Sequence, residues 1–369
     1  MNAPVSPRIR VLVVDDSAVA RKVVIQALAG DPGIEVVGEA VDPYMAKDKI
    51  LELSPDVLTL DVEMPRMDGI SFLKILRERR PLPVIVISTL TANGSHAALL
   101  ALEAGAVDVF VKPSNSAEVA QLAVELPRRV RGAALAKGKA MRAAPASVPS
   151  RLIAPRRYWD PRQLILFGAS TGGVEALTAI LPRLPGDLPP ICIVQHIPAF
   201  FSKGLAQRLA RVCAFDVREA ADGDEARPNL ALLAPGDRHM TLVHDQGRYR
   251  VRLDDSPPVH FTRPAVDRLF DSAAACAGRH VLAVLLTGMG VDGAAGLKRL
   301  RTAGARTLAE HESTCVVYGM PRAAVSLGAV GRQAPLDQIA PAMLQELDSI
   351  ASSPTRSANS PASALASTV

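Results

Sequence analysis

A serine set among glycines, Ser170 in GASTGG, is the first residue of this sequence whose surroundings point to covalent chemistry. Gly168, Ser170 and Gly172 satisfy G-x-S-x-G directly after the apolar run QLILF. Glycines at those positions let a strand turn sharply into a helix, lifting the serine oxygen into a crevice beside backbone amides that can receive an oxyanion. A small-residue turn after a strand also cradles dinucleotide phosphates, but that use calls for an acid about 20 residues further on to hold a ribose. The next apolar run, ICIVQ, ends instead in Gln195 and His196. A histidine at the end of a neighbouring strand stands where a general base for Ser170 belongs. His96, His239, His244, His260, His280 and His311 compete for the role, yet only His196 and His311 directly follow apolar runs in this part of the chain. His196 is on the run nearer Ser170. The base needs an orienting acid, and Asp292 in HVLAVLLTGMGVDG occupies a Gly-rich turn after another apolar run. The competing reading of Asp292 is a cap for a helix beginning near Gly293. The order Ser, His, Asp is not the Ser, Asp, His of the α/β-hydrolases, so a different hydrolase fold is expected.

The first third of the chain carries a second constellation. Asp15 and Asp16 follow the apolar run RVLVV, Asp61 follows DVLTL, Ser88 closes PVIVIS, and Lys112 with Pro113 closes AVDVFV. Each of these alone is more often a helix cap or a solvated charge, but sites in open parallel sheets form at the carboxyl ends of strands, which is where all of them fall. Three carboxylates in one crevice repel, and a hard cation such as Mg²⁺ on oxygen ligands relieves them. A carboxylate so placed can attack phosphorus and become an aspartyl phosphate, with Lys112 neutralising the phosphoryl oxygens and the Ser88 hydroxyl bonding one of them.

These residues need elements to hold them, and the pattern supplies them twice. From residue 9 to 126, short apolar runs alternate with helical patterns five times, which predicts a parallel sheet with helices on both faces. From 161 to 345 a second α/β pattern runs through QLILFG, PICIVQH, LALLAP, HVLAVLLTG and ARTLAE, with a hairpin in MTLVHDQGRYRVRL turning at Asp245, Gln246 and Gly247. Between them, residues 127–160 are rich in Ala, Pro, Arg and Ser and are expected to form a basic flexible linker. Residues 351–369 have the composition of a disordered tail.

Apolar residues make up 49% of the 369 and charged ones 21%, enough for two cored α/β domains, while an aromatic share of 4% argues against stacking platforms for nucleic acid. The net charge of +5 is local: residues 128–160 hold nine Lys or Arg against Asp160 alone, leaving the remainder at −3. A basic linker between two mildly acidic domains accounts for it, and no nucleic-acid partner is expected. Cys192, Cys213, Cys276 and Cys315 are scattered without C-x-x-C, which indicates neither zinc nor disulfides but buried thiols. The start MNAPVSPRIR lacks a signal-peptide layout and no apolar run reaches the roughly 18 residues of a membrane span, so a cytoplasmic protein without membrane insertion is expected.

Residues 9–126, with LDVEMPRMDG around Asp61 and VKP at Lys112, resemble a response-regulator receiver domain of the flavodoxin-like fold. That resemblance implies Asp61 as phosphoacceptor, Asp15, Asp16, Asp61 and the backbone carbonyl of Glu63 as Mg²⁺ ligands, and Ser88 and Lys112 as the switch pair. GASTGG, QHIP, APGDRHM, LLTGMGVDGAAG and VVYGMPRAAV resemble, in order, the catalytic domain of the chemotaxis protein-glutamate methylesterases. The resemblance implies Ser170 as nucleophile, His196 as base and Asp292 as orienting acid, with Thr171 and Met289 lining the site and no cofactor for the esterase step. It also implies a monomer that a histidine kinase phosphorylates, that hydrolyses glutamyl methyl esters on chemoreceptors, and that in some members deamidates glutamine. Two departures stand out: the family commonly has Gln-Asp-Glu where this chain has Glu310, His311 and Glu312, and often a small residue where it has Phe200. Both are expected beside substrate contacts. The alternative of another class is a receiver fused to a non-catalytic binding module, in which Ser170 and Asp292 are only turn residues.

Overall fold

The computed structural model describes residues 7–89, 92–136 and 159–351. The first unit alternates β1 (Ile9–Val14), α1 (Ala18–Ala29), β2 (Ile34–Ala40), α2 (Pro43–Leu53), β3 (Val57–Leu60), α3 (Gly69–Arg79), β4 (Val84–Ser88), α4 (Ala92–Glu103), β5 (Asp108–Val111) and α5 (Ser116–Leu135). Its strands pair in parallel in the order β2-β1-β3-β4-β5. The strands are nearly continuous Val, Ile and Leu because helices cover both faces. Helix starts follow local chemistry: the Ser17, Asp42, Asp68 and Asn115 side chains each accept a backbone N–H of the first turn.

The second unit runs β6 (Leu164–Ala169), α6 (Gly173–Ile180), β7 (Ile191–Gln195), α7 (Ala199–Val212), β8 (Asp216–Glu219), β9 (Glu225–Ala226), β10 (Leu230–Leu233), β11 (His239–Asp245), β12 (Arg248–Asp254), α8 (Val266–Cys276), β13 (Val281–Leu285), α9 (Ala294–Thr302), β14 (Arg306–Glu310), α10 (Met320–Ser326), β15 (Arg332–Ala334) and α11 (Leu336–Ala351). Seven of these strands form a parallel sheet in the order β15-β14-β13-β6-β7-β10-β8. The hairpin of β11 and β12 turns at Gln246 and Gly247, both with positive φ, and pairs with β9 in a separate small sheet. The edge strands β8 and β15 and the two-residue β9 have no apolar run and were not among the expected strands.

The linker expectation needs correction at its start. Helix α5 does not stop at residue 126 but continues through Pro127 to Leu135, because Leu122, Leu126, Val130 and Ala133 recur at helical spacing and pack into the receiver core beside α1. Arg129 and Arg131, counted above as linker charge, are receiver residues paired with Asp108 and Asp31. Residues 137–158 of the linker and the tail beyond residue 351 lie outside the described residues. Of the thiols, Cys192 and Cys315 are buried, whereas Cys213 and Cys276 are partly exposed.

The two units share one apolar cluster, in which Ala98, Leu99 and Leu102 of α4 meet Phe201 and Leu205 of α7. The receiver thereby docks through α4, β5 and α5 onto the crevice end of the second sheet. Val130→Asp tests the longer helix: a charge at this fully buried site is expected to lower receiver stability by on the order of 3 kcal/mol in urea unfolding. Stability unchanged from wild type would mean that this stretch is not packed.

Candidate active site and phosphoacceptor site

β13, β6 and β7 are neighbours in the sheet, with Gly168 paired to both Leu285 and Val194, so the residues after each strand meet at one end. Ser170 follows β6, His196 follows β7 and Asp292 lies in the loop after β13. His196 Nδ1 is 3.1 Å from Ser170 Oγ and its Nε2 is 2.8 Å from Asp292 Oδ2. The three side chains are buried, at 5%, 6% and 1% exposure. The sequence-predicted trio is therefore brought together in one hydrogen-bonded chain; with Nε2–H donated to the carboxylate, Nδ1 could take a proton from the serine.

The cap reading of Asp292 is half right, but for a different helix. Its Oδ2 and Oδ1 accept the N–H groups of Val266 and Asp267 at 2.7 and 2.9 Å, so it closes the N-terminus of α8 rather than that of α9. Burial works against the charge, yet the His196 ring and these two amides hold the carboxyl below the usual carboxylate range. Its neutralisation by acid therefore costs stability: the contribution is present above the ordinary carboxylate pKa and is lost as pH falls through the lowered value.

Gln195 Nε2 donates to the Ser170 carbonyl at 2.8 Å and to the His196 carbonyl at 3.1 Å, a clamp between the two residues. The dipeptide Gln195–His196 was visible in the sequence; the role of its first member was not. Also unforeseen is the segment His260, Phe261 and Thr262, which walls a cavity of about 240 Å³ together with Ser170, His196 and Met289. Thr262 Oγ1 sits 3.4 Å from Asp292 Oδ2, and His260 Nε2 lies 3.1 Å from Asp267 Oδ2.

The receiver completes that cavity. Glu125, Arg128 and Arg129 of α5 line it, and the Arg128 guanidinium stacks 4.6 Å from the centre of the Phe261 ring. The Val107 carbonyl accepts the Gly172 N–H at 3.3 Å, and the Asp108 carboxylate accepts the Thr171 hydroxyl at 2.9 Å while pairing with Arg129 at 2.6 Å. Thr171 follows Ser170 directly, and its hydroxyl is turned to the receiver. Met289 lines the cavity and rests against Gly132 of α5, where an added Cβ would stand 2.9 Å from its Sδ.

The two departures lie in different settings. Phe200 faces β5 and α5 across the domain boundary. Glu310 is wholly buried at the end of β14 and accepts the Thr287 N–H at 2.9 Å, while His311 and Glu312 point to solvent. A residue ending a parallel strand turns inward as readily as toward a ligand, and a sequence does not distinguish the two.

In the receiver, Asp15, Asp16 and Asp61 each offer a carboxylate oxygen within 4.8 Å of the others. Lys112 Nζ bridges Asp15 and Asp61, 2.8 Å from each. Burial, reinforced by the Asp15 charge, pushes Asp61 up to about 6 against the opposing pull of Lys112. Lys112 itself stays above its ordinary value, because its two carboxylate partners outweigh burial. Ser88 ends β4 fully buried, and Glu63 Oε2 accepts the Thr89 hydroxyl at 2.7 Å. These hard oxygen donors around an electrostatically strained carboxylate fit a divalent cation.

Fold and sites together define a receiver domain seated over the crevice of an α/β serine hydrolase. The response regulator receiver domain family matches residues 11–123, and the CheB methylesterase family matches residues 165–343. A protein of Anaeromyxobacter dehalogenans (strain 2CP-C) named protein-glutamate methylesterase/protein-glutamine glutaminase 4 is 51% identical over 339 residues, spanning 92% of this chain and 95% of the relative. A second, from Syntrophus aciditrophicus (strain SB) and named protein-glutamate methylesterase/protein-glutamine glutaminase 2, is 47% identical over 334 residues, 90% and 97% of the two chains. The solved CheB methylesterase catalytic domain of Thermotoga maritima is 38% identical, covering 50% of this chain and 97% of that one with a TM-score of 0.49. This chain belongs to the CheB methylesterase family. Among the described residues no helix is long and apolar enough to cross a membrane.

Asp292→Asn tests the structural half of the site. Losing a charge that two α8 amides and His196 share is expected to cost on the order of 1–2 kcal/mol in urea unfolding at neutral pH. A variant as stable as wild type would show that the carboxylate does not anchor α8.

Proposed function

We propose that this chain is a phosphorylation-activated protein-glutamate methylesterase acting on chemoreceptors, with Ser170 as nucleophile, His196 as base and Asp292 as orienting acid. The observation that carries the reading is the unbroken Ser170–His196–Asp292 relay at the carboxyl ends of adjacent central strands. Ser170 Oγ attacks the ester carbonyl carbon as His196 Nδ1 takes its proton, and Asp292 stabilises the resulting imidazolium. The imidazolium then gives that proton to the departing methoxide, which leaves as methanol, and a glutamyl ester of Ser170 remains. Water, deprotonated by His196, hydrolyses it to the free glutamate and restores the serine. A glutamine side chain presents the same carbonyl with ammonia as leaving group, and the names of the relatives support deamidation as a second reaction.

The domain organisation belongs to the same reading: a receiver over 9–135, a basic connection from there to about 160, and the esterase over 161–345. A chemotaxis-type histidine kinase is the expected phosphodonor and the cytoplasm the expected location. Asp61 would attack phosphorus, and Lys112 and Ser88 would bond the phosphoryl oxygens. Asp15, Asp16, Asp61 and the Glu63 carbonyl would hold Mg²⁺, which when bound neutralises charge on the transferring group.

Two variants test this. Ser170→Ala is expected to reduce methanol release from methylated receptors by on the order of 10⁴-fold while leaving the protein folded, because triad members act as a unit. Residual activity within tenfold of wild type would remove Ser170 from the nucleophile role and favour the binding-module alternative. Gly132→Leu is expected to crowd Met289, loosen the receiver and raise basal esterase activity of the unphosphorylated chain several-fold, on the order of 1 kcal/mol of docking lost. Basal activity equal to or below wild type would mean that the docked receiver does not inhibit.

A further inference from the structure

We propose that Glu310 is a positioning residue for the nucleophile and that it acts as a neutral acid. The proposal rests on Ser170 being the nucleophile. Glu310 touches neither substrate crevice nor solvent; it works through Thr287. Its Oε2 accepts the Thr287 N–H at 2.9 Å. The Thr287 carbonyl accepts the Ser170 N–H at 3.0 Å, and the Thr287 hydroxyl lies 3.0 Å from the Thr171 carbonyl and 2.9 Å from the Val317 N–H that it accepts. A single residue therefore pins the backbone of the nucleophile turn on both sides of Ser170, and Glu310 is what fixes that residue from behind.

The surroundings decide the protonation state. The side chain is 0% exposed, its Oε1 is buried without a hydrogen-bond partner, and no ion pair reaches it among the described residues. The groups facing it are Thr314 and Cys315 on the segment after β14 and, from α6, a second carboxylate, Glu175, whose own opposing charge is Arg77 of the receiver. An ionised carboxylate here would be desolvated with the Thr287 amide and the weaker Thr314 and Cys315 groups in partial compensation, a state that burial strongly disfavours. Burial outweighs the Thr287 N–H and the smaller influence of Thr314 and Cys315, and with Glu175 adding to the rise it pushes Glu310 up to about 7. When the acid ionises, the charge must draw in water or move, and Thr287 moves with it. Displacing a reacting group by ~1 Å can cost about 10²-fold in rate.

The direction of the pH effect is then fixed. Ionisation of Glu310 lowers the rate as pH rises and so gives an alkaline limb. Folding prefers the neutral acid, so its contribution to stability is full below the ordinary glutamate range and is lost as pH rises toward 7. Glutamine has the same shape and keeps an acceptor for Thr287 without ionising.

The test uses the full-length chain and a serine-directed fluorophosphonate, whose labelling rate at Ser170 reports nucleophile geometry without a receptor. The ratio of Glu310→Gln to wild type at each pH cancels every other group that titrates. That ratio is expected to lie near one at pH 6 and to reach about fivefold by pH 8.5. A ratio that is flat with pH overturns the proposal even though Ser170 is labelled, whereas failure to label Ser170 at all overturns the nucleophile reading on which it stands. Carboxyl ¹³C NMR of the wild type provides a measurement that needs no variant to fold. Glu310 is expected to titrate near neutrality, and a midpoint in the ordinary glutamate range, about 4 to 5, overturns the proposal.

Discussion

A carboxylate buried to 1% exposure at the centre of a sheet end has to be matched donor by donor, and the second domain is arranged around doing so for Asp292. Two amides come from the start of α8, one ring N–H comes from His196, and the Thr262 hydroxyl stands nearby. The amides are free to serve because a helix leaves its first N–H groups without internal partners. Orienting His196 and starting α8 are thus one interaction, and Gly293 with positive φ lets the chain turn away beneath it into α9. The same logic places Gln195 and Thr287: each bonds backbone of the Ser170 turn, so the serine is held by the last residue of β7 and by a residue just beyond β13.

The receiver meets this arrangement with polar groups as well as with an apolar face. α4 packs Leu99 and Leu102 against α7, which supplies non-directional adhesion, while Val107 and Asp108 take up donors next to Ser170. Asp108 is itself 6% exposed and is balanced by Arg129, so the pair and the Thr171 hydroxyl form a small buried network across the boundary. Such networks contribute orientation more than adhesion, because desolvation offsets most of their attraction. The Thr171 hydroxyl and the Gly172 N–H are thus both taken up by the receiver, whose α5 also walls the cavity.

Much of this was legible in the residues themselves. The receiver's elements and the central strands of the esterase announce themselves because buried parallel strands must be apolar throughout, and Ser170, His196 and Asp292 stand out as the polar residues just beyond three such strands. The edge strands β8 and β15 pair on one side only and carry polar residues, so no apolar run marks them. The end of α5 was hidden by Pro127 and by arginines, which read as linker until the spacing of Leu126, Val130 and Ala133 is weighed above composition. Glu310 shows the sharpest limit. A charged type in a strand-end position reads as a site residue, and its burial behind Thr287 is a fact of tertiary packing that no local pattern encodes.

The two sites are joined by a short piece of chain. β5 is four residues long, Asp108 at its start bonds Thr171, and Lys112 directly after its end bridges Asp15 and Asp61. At about 3.3 Å per residue the strand separates the acidic crevice around Asp61 from the hydrolase contact by little more than one nanometre. One end is held by the ion pair of Asp108 with Arg129 and the residue after the other by those of Lys112 with Asp15 and Asp61, so the strand sits between two electrostatic anchors. A phosphoryl group on Asp61 would draw the Lys112 ammonium from the carboxylates to its oxygens, altering one anchor, and the consequence for the other is bounded by how differently the two receiver conformations bind the esterase face. A contact built from a few polar bonds and a modest apolar patch is one whose strength a single phosphorylation could offset.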